Sequence, residues 1–497
     1  MIELTIDNLS ISVEDGATIL DAAEKAGISI PTMCFLKGCN PSTSCMVCAV
    51  RVNGADSLVP SCATKAVDGM VVESDCPEVF AARKTALELL LSDHVGDCMA
   101  PCQLTCPAKM NIPKMIRQIA AGDFAGAIRT VKKDIPLPAV LGRICPAPCE
   151  NSCRRRLQDS SVSVCLLKRF VADVDLASGR PYMPVRVEKK NKRVVIVGAG
   201  CVGLSAAYYL QADGFDCTVF DRNEKAGGML CQVPADKLSA DVLAAEVAVI
   251  EKMGVEFKLN TTVTPGPVFD DICKEFDAVL LAVGLENSEG LDSSLCSVFA
   301  GSDIGGKKKM AVSAVAAGKE AAVCVGQYLS GKEVTGSVRP FNSRMGKLLD
   351  GEIDIFMEGA SKSGQITPAA ADGGFVDTEA KEESLRCLHC DCRKAEDCKL
   401  RRYAEEYSAN AGTYKAQRRE FTRIFEGEIV FEQGKCIGCG LCIEIASREL
   451  SGTGLAFTGR GFDVKVAVPF GRSLTQGLGG VAEKCISACP VGALASR

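Results

Sequence analysis

Residues 192–228 read "KRVVIVGAGCVGLSAAYYLQADGFDCTVFDRNEKAGG", which predicts a strand, a glycine turn, a helix and a second strand in succession. Gly198 would make the tight turn, Gly200 would let a pyrophosphate approach the backbone, and Gly203 would let the helix pack on the strand. The phosphate would then lie at the N-terminus of the helix. Asp221 follows about twenty residues later, where an acidic side chain can bond ribose hydroxyls. Because the whole context is present, the stretch predicts a dinucleotide-binding α/β domain.

Length, charge and hydropathy exclude several other classes of protein. The chain has 497 residues, which suggests about three domains. Its net charge is -5, so we expect no nucleic-acid partner. The first residues, "MIELTIDNLSISVEDG", lack the pattern of a signal peptide, and no apolar run reaches the ~18 residues that span a bilayer. We therefore expect a cytoplasmic protein without a membrane span.

The chain contains 28 cysteines, and most of them are clustered. In a long chain without a secretory signal, clustered cysteines indicate metal sites rather than disulfides. Those that occur singly in the dinucleotide-binding segment are predicted to be small apolar core residues: Cys201, Cys217, Cys273, Cys296 and Cys324. The pattern predicts a multidomain chain of α+β and α/β domains, divided as 1–76, 77–188, 189–335, a linker 336–383, and 384–497.

The first cysteine group follows the spacing C-x10-C-x2-C-x13-C and comprises Cys34, Cys45, Cys48 and Cys62. Such a loop can present thiolates to one iron–sulfur cluster, and zinc is the competing interpretation. The segments "IPTMC", "SCMVCAV" and "LVPSCAT" resemble the [2Fe–2S] domain of the large iron–sulfur subunit of complex I and of [FeFe] hydrogenases. The resemblance implies a β-grasp ferredoxin domain over 1–76 with these four ligands, and it leaves Cys39 spare.

A helix that begins at Pro77 is predicted to lead to His94, and two more helices are predicted near 112–121 and 123–133. The segment "LLLSDHVGDC" resembles the same complex I subunit, in which a His-x3-Cys pair ligates a [4Fe–4S] cluster. A neutral imidazole can bind iron in this way. The competing interpretation is an exposed histidine at the end of a helix.

The following cysteines resemble another family. The segments "CQLTCPAKMNIP", "GRICPAPCENSC" and "SVSVCLLKRF" resemble the N-terminal domain of the glutamate synthase small subunit and of dihydropyrimidine dehydrogenase. That resemblance implies a helical domain with two [4Fe–4S] clusters. One cluster would be bound by Cys106, Cys145 and Cys149. The fourth ligand in the family is often a Gln or Glu, and the aligned position here is Lys168, so Cys165 would replace it. The other would be bound by His94, Cys98, Cys102 and Cys153.

Further segments indicate FAD rather than NAD at the glycine turn. "AGGML", "FDAVLLAVG" and "SVFAGSDIGG" resemble the glutathione-reductase-like FAD fold of the glutamate synthase small subunit, which implies FAD contacts at Gly228, Gly284 and Asp303. The relatives insert an NAD(P)H domain where only residues 285–300 occur here, and no second G-x-G-x-x-G/A motif follows a strand. We therefore expect no complete NAD(P)H site. A degenerate domain retained only for its fold is the alternative.

The C-terminal segment, predicted to be a ferredoxin-like domain, holds two more groups. "GKCIGCGLCIEIA" has Ala446 in place of a fourth cysteine, and "KCISACP" supplies Cys489. One [4Fe–4S] cluster is therefore predicted on Cys436, Cys439, Cys442 and Cys489, with Cys485 left over. "RCLHCDCRKAEDCKLR" contains Cys387, Cys390, Cys392 and Cys398, for which we predict a further [4Fe–4S] cluster, with structural zinc as the alternative.

Together these features predict an iron–sulfur flavoprotein that carries electrons within a multi-subunit oxidoreductase. It would bind FAD, one [2Fe–2S] cluster and three to four [4Fe–4S] clusters. The resemblances imply as partners a complex I-like NAD(H) diaphorase, ferredoxin, and a catalytic subunit such as a formate dehydrogenase, a hydrogenase or a tungsten/molybdenum aldehyde oxidoreductase. Two alternatives remain open: a self-sufficient FAD-dependent reductase of a small substrate, and a non-catalytic iron–sulfur scaffold.

Overall fold

The structure, a computed structural model, describes residues 1–283, 291, 296–301, 310–414, 418–450 and 454–496. Gly284 and Asp303, two of the predicted FAD contacts, lie outside the described residues. The chain divides into two compact units that alternate along the sequence. Unit 1 comprises residues 1–99, 340–359 and 389–497, and unit 2 comprises residues 100–339 and 360–388.

The strands of the described residues are short. They are β1 (Ile2–Ile6), β2 (Leu9–Val13), β3 (Ala49–Val52), β4 (Leu58–Pro60), β5 (Val71–Glu73), β6 (Arg193–Val197), β7 (Asp216–Phe220), β8 (Glu256–Lys258), β9 (Ala278–Leu281), β10 (Ser297–Ala300), β11 (Ile424–Glu426), β12 (Ile429–Phe431), β13 (Ala456–Thr458), β14 (Lys465–Ala467) and β15 (Leu494–Ser496).

The α-helices of the described residues range from one turn to five. They are α1 (Ile19–Lys25), α2 (Pro77–Ser92), α3 (Pro101–Thr105), α4 (Ile112–Ala120), α5 (Phe124–Lys132), α6 (Pro138–Ile144), α7 (Pro148–Asn151), α8 (Val164–Ala177), α9 (Cys201–Ala212), α10 (Ala240–Lys252), α11 (Pro267–Glu275), α12 (Ala311–Leu329), α13 (Glu352–Met357), α14 (Asp377–Ser384), α15 (Lys399–Glu406), α16 (Leu441–Glu449), α17 (Leu474–Leu478) and α18 (Ala482–Ala488).

Unit 1 begins with a mixed sheet in the order β2-β1-β5-β3-β4, in which only β1 and β5 run parallel. Helix α1 packs on this sheet, and its N-terminus is held by a capping box: Asp21 N–H donates to Thr18 Oγ1 and Thr18 N–H donates to the Asp21 carboxylate. The rest of unit 1 contains the antiparallel sheet β11-β12-β15. A second core joins α2 to α15, α16 and the thiols of both cysteine-rich ends of this unit.

Unit 2 has a helical part and an α/β part. Helices α4, α5 and α8 bury their apolar faces in one core, and the predicted helices near 112–121 and 123–133 are confirmed as α4 and α5. The α/β part has a parallel sheet in the order β10-β9-β6-β7-β8. Helices α9 and α12 pack so closely that a Cβ at Gly318 would collide with the Val202 carbonyl.

Residues 336–383, which composition suggested to be a linker, carry α13 and most of α14. Glu352, Phe356 and Glu383 in this segment are buried. Among the described residues, no helix is both long and apolar enough to span a bilayer.

Candidate iron–sulfur and dinucleotide sites

Four buried thiols lie in two close pairs beside the first sheet. The sulfurs of Cys34 and Cys45 are 3.3 Å apart, and those of Cys48 and Cys62 are 3.4 Å apart. Within each pair the hydrogen bond lowers the pKa of one thiol, to about 5 at Cys34 and to about 6 at Cys48, and raises the pKa of its partner, Cys45 or Cys62. Two pairs of thiols suit a [2Fe–2S] cluster, in which two cysteines bind each iron.

The β3–β4 hairpin explains why two distant cysteines meet. Cys48 directly precedes β3, Cys62 follows β4, and Ser61 N–H donates to the Cys48 carbonyl at 3.1 Å. Met46, between Cys45 and Cys48, has a left-handed backbone with φ of 51°. This turn lets the four residues from Cys45 to Cys48 present two sulfurs on the same side of the loop.

A second group of thiols surrounds a buried lysine in unit 2. Lys168 Nζ lies 3.8 Å from Cys165 Sγ, and its side chain is buried. Burial would lower the pKa of Lys168, but the charges of Cys165, Cys145, Cys149 and Cys106 outweigh it and raise this pKa. The hydrogen bond with Cys165 lowers the pKa of Cys145 to about 6. The structure therefore brings these four predicted ligands together around one cation.

Helix ends position these thiols. Cys145 follows α6, whose N-terminus is capped by the buried Glu246 carboxylate: it accepts the N–H groups of Ala139 at 2.8 Å and Val140 at 2.9 Å. Cys165 lies in α8, and its N–H donates to Glu150 Oε1 at 2.8 Å. Local sequence gave no sign of the Glu246 cap, because the residue lies on α10 of the α/β part.

Each of the two remaining predicted ligand sets contains residues of unit 1 and residues of unit 2. Of the first set, His94 and Cys98 belong to unit 1, whereas Cys102 and Cys153 belong to unit 2. Of the second set, Cys387 belongs to unit 2, whereas Cys390, Cys392 and Cys398 belong to unit 1. Within unit 2, the thiols of the two sets pack against one core: Cys102, Cys153 and Cys387. Within unit 1, Cys392 N–H donates to the Cys98 carbonyl at 3.2 Å.

His94 follows α2, as predicted, and its ring is held in a dry environment. Its Nδ1 is buried and has no hydrogen-bond partner among the described residues. Burial, followed by the charge of Lys435, lowers the pKa of His94 to about 4, so the ring is neutral at physiological pH. A buried ring nitrogen without a partner is costly unless a ligand occupies it, which is consistent with iron.

The C-terminal cysteines enclose an apolar cavity. Cys436, Cys439, Cys442 and Cys489 all line it, together with Ile437, Leu441, Leu455, Val466, Leu474 and Val491. Burial raises the pKa of Cys436 to about 11 and that of Cys439 to about 12. A cavity with four thiols and apolar walls fits a [4Fe–4S] cluster, whose sulfide core is itself poorly hydrated.

The glycine turn has the geometry that the sequence predicted. Gly198 follows β6 with φ of 110°, Gly200 caps α9 with open space beside it, and a Cβ at Gly203 would collide with the Gly198 carbonyl. Gly228 lies against Gly200, so a second loop borders the same turn. Asp221 has a role that the sequence did not indicate. Its carboxylate accepts the N–H of Ala199 at 2.7 Å and thereby fixes the turn.

Two further observations concern the remaining cysteines. Among the described residues, no three His, Cys, Asp or Glu side chains converge tightly enough to hold a single metal ion. Cys273 and Cys296 were predicted to be isolated core residues, but the structure joins them in a disulfide. They meet because α11, which carries Cys273, leads into β9, and Cys296 directly precedes the neighbouring parallel strand β10.

Comparison with known protein families matches three segments of the chain. Residues 1–77 match a 2Fe-2S iron-sulfur cluster binding domain, and residues 92–180 match dihydropyrimidine dehydrogenase domain II, 4Fe-4S cluster. Residues 196–249 match an NAD(P)-binding Rossmann-like domain. These matches confirm the predicted [2Fe–2S] domain, the predicted resemblance to the 4Fe–4S domain of dihydropyrimidine dehydrogenase, and the predicted Rossmann-like unit.

Three curated relatives are similar over part of the chain. The NADP(+)-dependent formate dehydrogenase subunit beta of Moorella thermoacetica is 36% identical over 38% of this chain and 30% of its own length. The NADPH-Fe(3+) oxidoreductase subunit beta of Geobacter sulfurreducens is 34% identical over 43% of this chain and 32% of its own length. The NAD-dependent dihydropyrimidine dehydrogenase subunit PreT of Escherichia coli is 37% identical over 39% of this chain and 47% of its own length.

The chain thus spans between about a third and a half of the length of these relatives. All three are subunits of oxidoreductases. The chain shares with known proteins a [2Fe–2S] domain, a [4Fe–4S] domain like that of dihydropyrimidine dehydrogenase, and a Rossmann-like NAD(P)-binding domain.

Proposed function

We propose that this chain is an iron–sulfur flavoprotein subunit that carries electrons within a multi-subunit oxidoreductase. The observation that carries the proposal is that the N-terminal and C-terminal groups of thiols in unit 1 lie close to each other. Cys34 and Cys45 of the N-terminal group and Cys439 of the C-terminal group pack in one core. The charge of Cys34 also contributes to the raised pKa of Cys439, after burial and nearer groups. Clusters at these two places would be close enough to exchange electrons.

The proposed cofactors are FAD, one [2Fe–2S] cluster and four [4Fe–4S] clusters, which corresponds to about eighteen irons per chain. The proposed iron ligands are the twenty residues Cys34, Cys45, Cys48, Cys62, His94, Cys98, Cys102, Cys106, Cys145, Cys149, Cys153, Cys165, Cys387, Cys390, Cys392, Cys398, Cys436, Cys439, Cys442 and Cys489. FAD, when bound, exchanges electrons singly or in pairs, which joins two-electron to one-electron chemistry. The FAD-binding residues would be Gly198, Gly200, Gly203, Asp221, Gly228, Gly284 and Asp303.

The chain's own residues at the glycine turn bind and orient the dinucleotide. The backbone beside Gly200 is open, so a pyrophosphate can approach the N-terminus of α9. Asp221 Oδ2 accepts Ala199 N–H, and its Oδ1 accepts both the backbone and the side-chain N–H of Asn223. Because a carboxylate has about four lone-pair sites, about one site remains for a ribose hydroxyl. The buried thiols exclude water from the clusters, and Lys168 balances their negative charge.

A nicotinamide site would have to come from another subunit. Strands β9 and β10 are parallel neighbours, and only residues 282–296 join them. A nucleotide-binding domain needs at least about 50 residues, so none fits between these strands. We propose a complex I-like NAD(H) diaphorase as the partner for NAD(H), and ferredoxin as a mobile partner. The catalytic partner would be a formate dehydrogenase, a hydrogenase or a tungsten/molybdenum aldehyde oxidoreductase.

One observation favours a second candidate function. The match to an NAD(P)-binding Rossmann-like domain covers the glycine turn itself, which supports direct use of NAD(P)H by a chain that also binds FAD. The chain would then be a self-sufficient reductase that takes electrons directly from NAD(P)H. The two candidates differ in what reduces the isolated chain.

The decisive experiment mixes the anaerobic, cofactor-loaded chain with NADH or NADPH in a stopped-flow spectrophotometer. We expect no rapid flavin bleaching, because flavin contacts alone are too few to immobilise a nicotinamide. Reduced ferredoxin or dithionite should bleach the flavin, and addition of a diaphorase subunit should restore reduction by NADH. Gly203→Val, which cannot pack α9 on β6, is the flavin-free control. Bleaching by NAD(P)H alone would establish the second candidate.

A further inference from the structure

Two chain segments that lie on either side of unit 2 in the sequence meet within unit 1. Cys98 lies at the end of the first segment, 1–99, and Cys392 lies near the start of the last segment, 389–497. Cys392 N–H donates to the Cys98 carbonyl at 3.2 Å. Residues 340–359 also reach this place: Ser343 N–H lies 3.4 Å from Cys98 Sγ, and the Ser343 carbonyl accepts Cys98 N–H at 3.2 Å.

Three thiols share this place. Cys98, Cys392 and Cys398 are all buried. Arg401 N–H lies 3.5 Å from Cys398 Sγ, and Arg401 Nε donates to the Phe341 carbonyl at 2.7 Å. Residues 341–343 therefore contact the segments of both Cys398 and Cys98.

His94 reaches the same place through the segment that contains Lys435. Val95 N–H donates to the Gly434 carbonyl at 2.6 Å, which aligns the two segments. The Lys435 side chain crosses Gly96 so closely that a Cβ there would collide with it. His94 is four residues before Cys98 in the same segment, and its buried Nδ1 has no partner among the described residues, so this segment offers an imidazole as well as a thiol.

We propose that His94, Cys98, Cys392 and Cys398 together hold one [4Fe–4S] cluster. This ligand set replaces the two sets predicted from sequence spacing, each of which combined residues of both units. In unit 2, Cys102, Cys153 and Cys387 pack on one core and belong to a different cluster. The inference rests on the proposed function in one respect: it assumes that the chain binds iron–sulfur clusters.

The proposed cluster would lie next to the C-terminal one. Lys394 Nζ donates to the Cys489 carbonyl at 2.9 Å, and Lys399 N–H donates to the Pro490 carbonyl at 2.9 Å. The segment from Cys392 to Cys398 thus runs beside the loop that carries Cys489. The ligand set therefore places a third cluster in unit 1, beside the thiols of the C-terminal group.

Iron content in paired variants distinguishes this ligand set from the sequence-based one. If the proposal is correct, Cys98→Ala with Cys398→Ala removes two ligands of one cluster and about four irons are lost. The matched pair Cys98→Ala with Cys102→Ala then removes ligands of two clusters, with a loss of about eight irons. The sequence-based sets predict the reverse, a loss of about eight and about four irons respectively. The proposal is overturned if Cys98→Ala with Cys398→Ala loses at least as many irons as Cys98→Ala with Cys102→Ala.

A spectroscopic measurement covers the case in which these variants do not fold. The chain has only two histidines, so ¹⁵N-labelled histidine should give one reduced cluster a nitrogen hyperfine coupling in its electron paramagnetic resonance spectrum. Cys392→Asp, which retains a ligand atom, should alter this marked signal, and the control Cys387→Asp should leave it unchanged. A marked signal that is unchanged in Cys392→Asp, or that changes in Cys387→Asp, overturns the ligand set. An iron-free parent protein would refute the proposed function as well, whereas the wrong pattern refutes the ligand set alone.

Discussion

Glu432 in unit 1 and Glu246 in unit 2 are both buried, and both hold a segment that leads to a cysteine, yet their pKa values move in opposite directions. Glu432 contacts two cations: Arg423 Nη2 lies 2.7 Å from its Oε1, and Lys435 contacts its Oε2. Burial would raise its pKa, but these charges lower it to about 2. Glu246 accepts the two N–H groups at the start of α6, and burial raises its pKa to about 7.

The difference shows that burial alone does not decide the charge of a group. Desolvation penalises both carboxylates. The adjacent cations outweigh this penalty at Glu432, whereas two N–H groups and the charges of Lys132 and Arg143 do not outweigh it at Glu246. Lys168 illustrates the same rule for a cation, because thiol charges keep its pKa high in spite of burial. Each of these groups supports a segment that carries a proposed iron ligand. The three predictions that follow test the rule at these positions.

The largest effect is expected for Glu432→Gln. This change removes the carboxylate that Arg423 and Lys435 share and leaves two buried cations beside each other. We expect the free energy of unfolding of unit 1 to fall by about 3–5 kcal/mol. Urea denaturation under anaerobic conditions, followed by loss of cluster absorbance, measures the change. Glu449→Gln, which breaks an exposed pair with Lys484, should cost less than about 1 kcal/mol. Equal midpoints for the two variants would contradict the comparison.

The pH dependence of Glu246 should be the next largest effect. Its pKa is higher in the folded chain than the 4.5 of an unperturbed glutamate, so the folded state binds the proton more tightly. Its contribution to stability is therefore fully present below pH 4.5 and is lost as pH rises to about 7, by about 3 kcal/mol. In Glu246→Gln, the denaturation midpoint should no longer show this fall as pH rises from 4.5 to about 7. An unchanged slope would show that the carboxyl is ionised throughout.

The smallest effect is expected for Lys168→Met. A buried cation stabilises the more negative, reduced form of a nearby cluster, so its removal should lower the midpoint potential of one [4Fe–4S] signal. We expect about 60 mV, which corresponds to a tenfold change in the reduction equilibrium. Redox titration monitored by electron paramagnetic resonance measures the shift. Lys484→Met, at an exposed lysine, is the control. Identical potentials in both variants would show that Lys168 does not face a cluster.

Local features of the fold were predictable from the sequence. Pro77 begins α2, and the patterns near 112–121 and 123–133 became α4 and α5, because helix signals act over neighbouring residues. The glycine turn also follows from local sterics, since a side chain at Gly203 would strike the Gly198 carbonyl. The division into units was not predictable in this way. Residues 336–383 suggested a linker by composition, yet this segment contributes buried residues.

The sequence by itself determined the spacing of cysteines within each loop, and with it the chemistry that each loop can offer. Spacing is decisive there because a short backbone loop can present its thiols in only a few ways. Tertiary structure alone decided which loops share a site. Cys98 and Cys392 meet because the chain leaves unit 1 after residue 99 and, after a shorter return at residues 340–359, re-enters it at residue 389. Their contact depends on the burial of distant segments in one core, and no local pattern in the sequence records that packing.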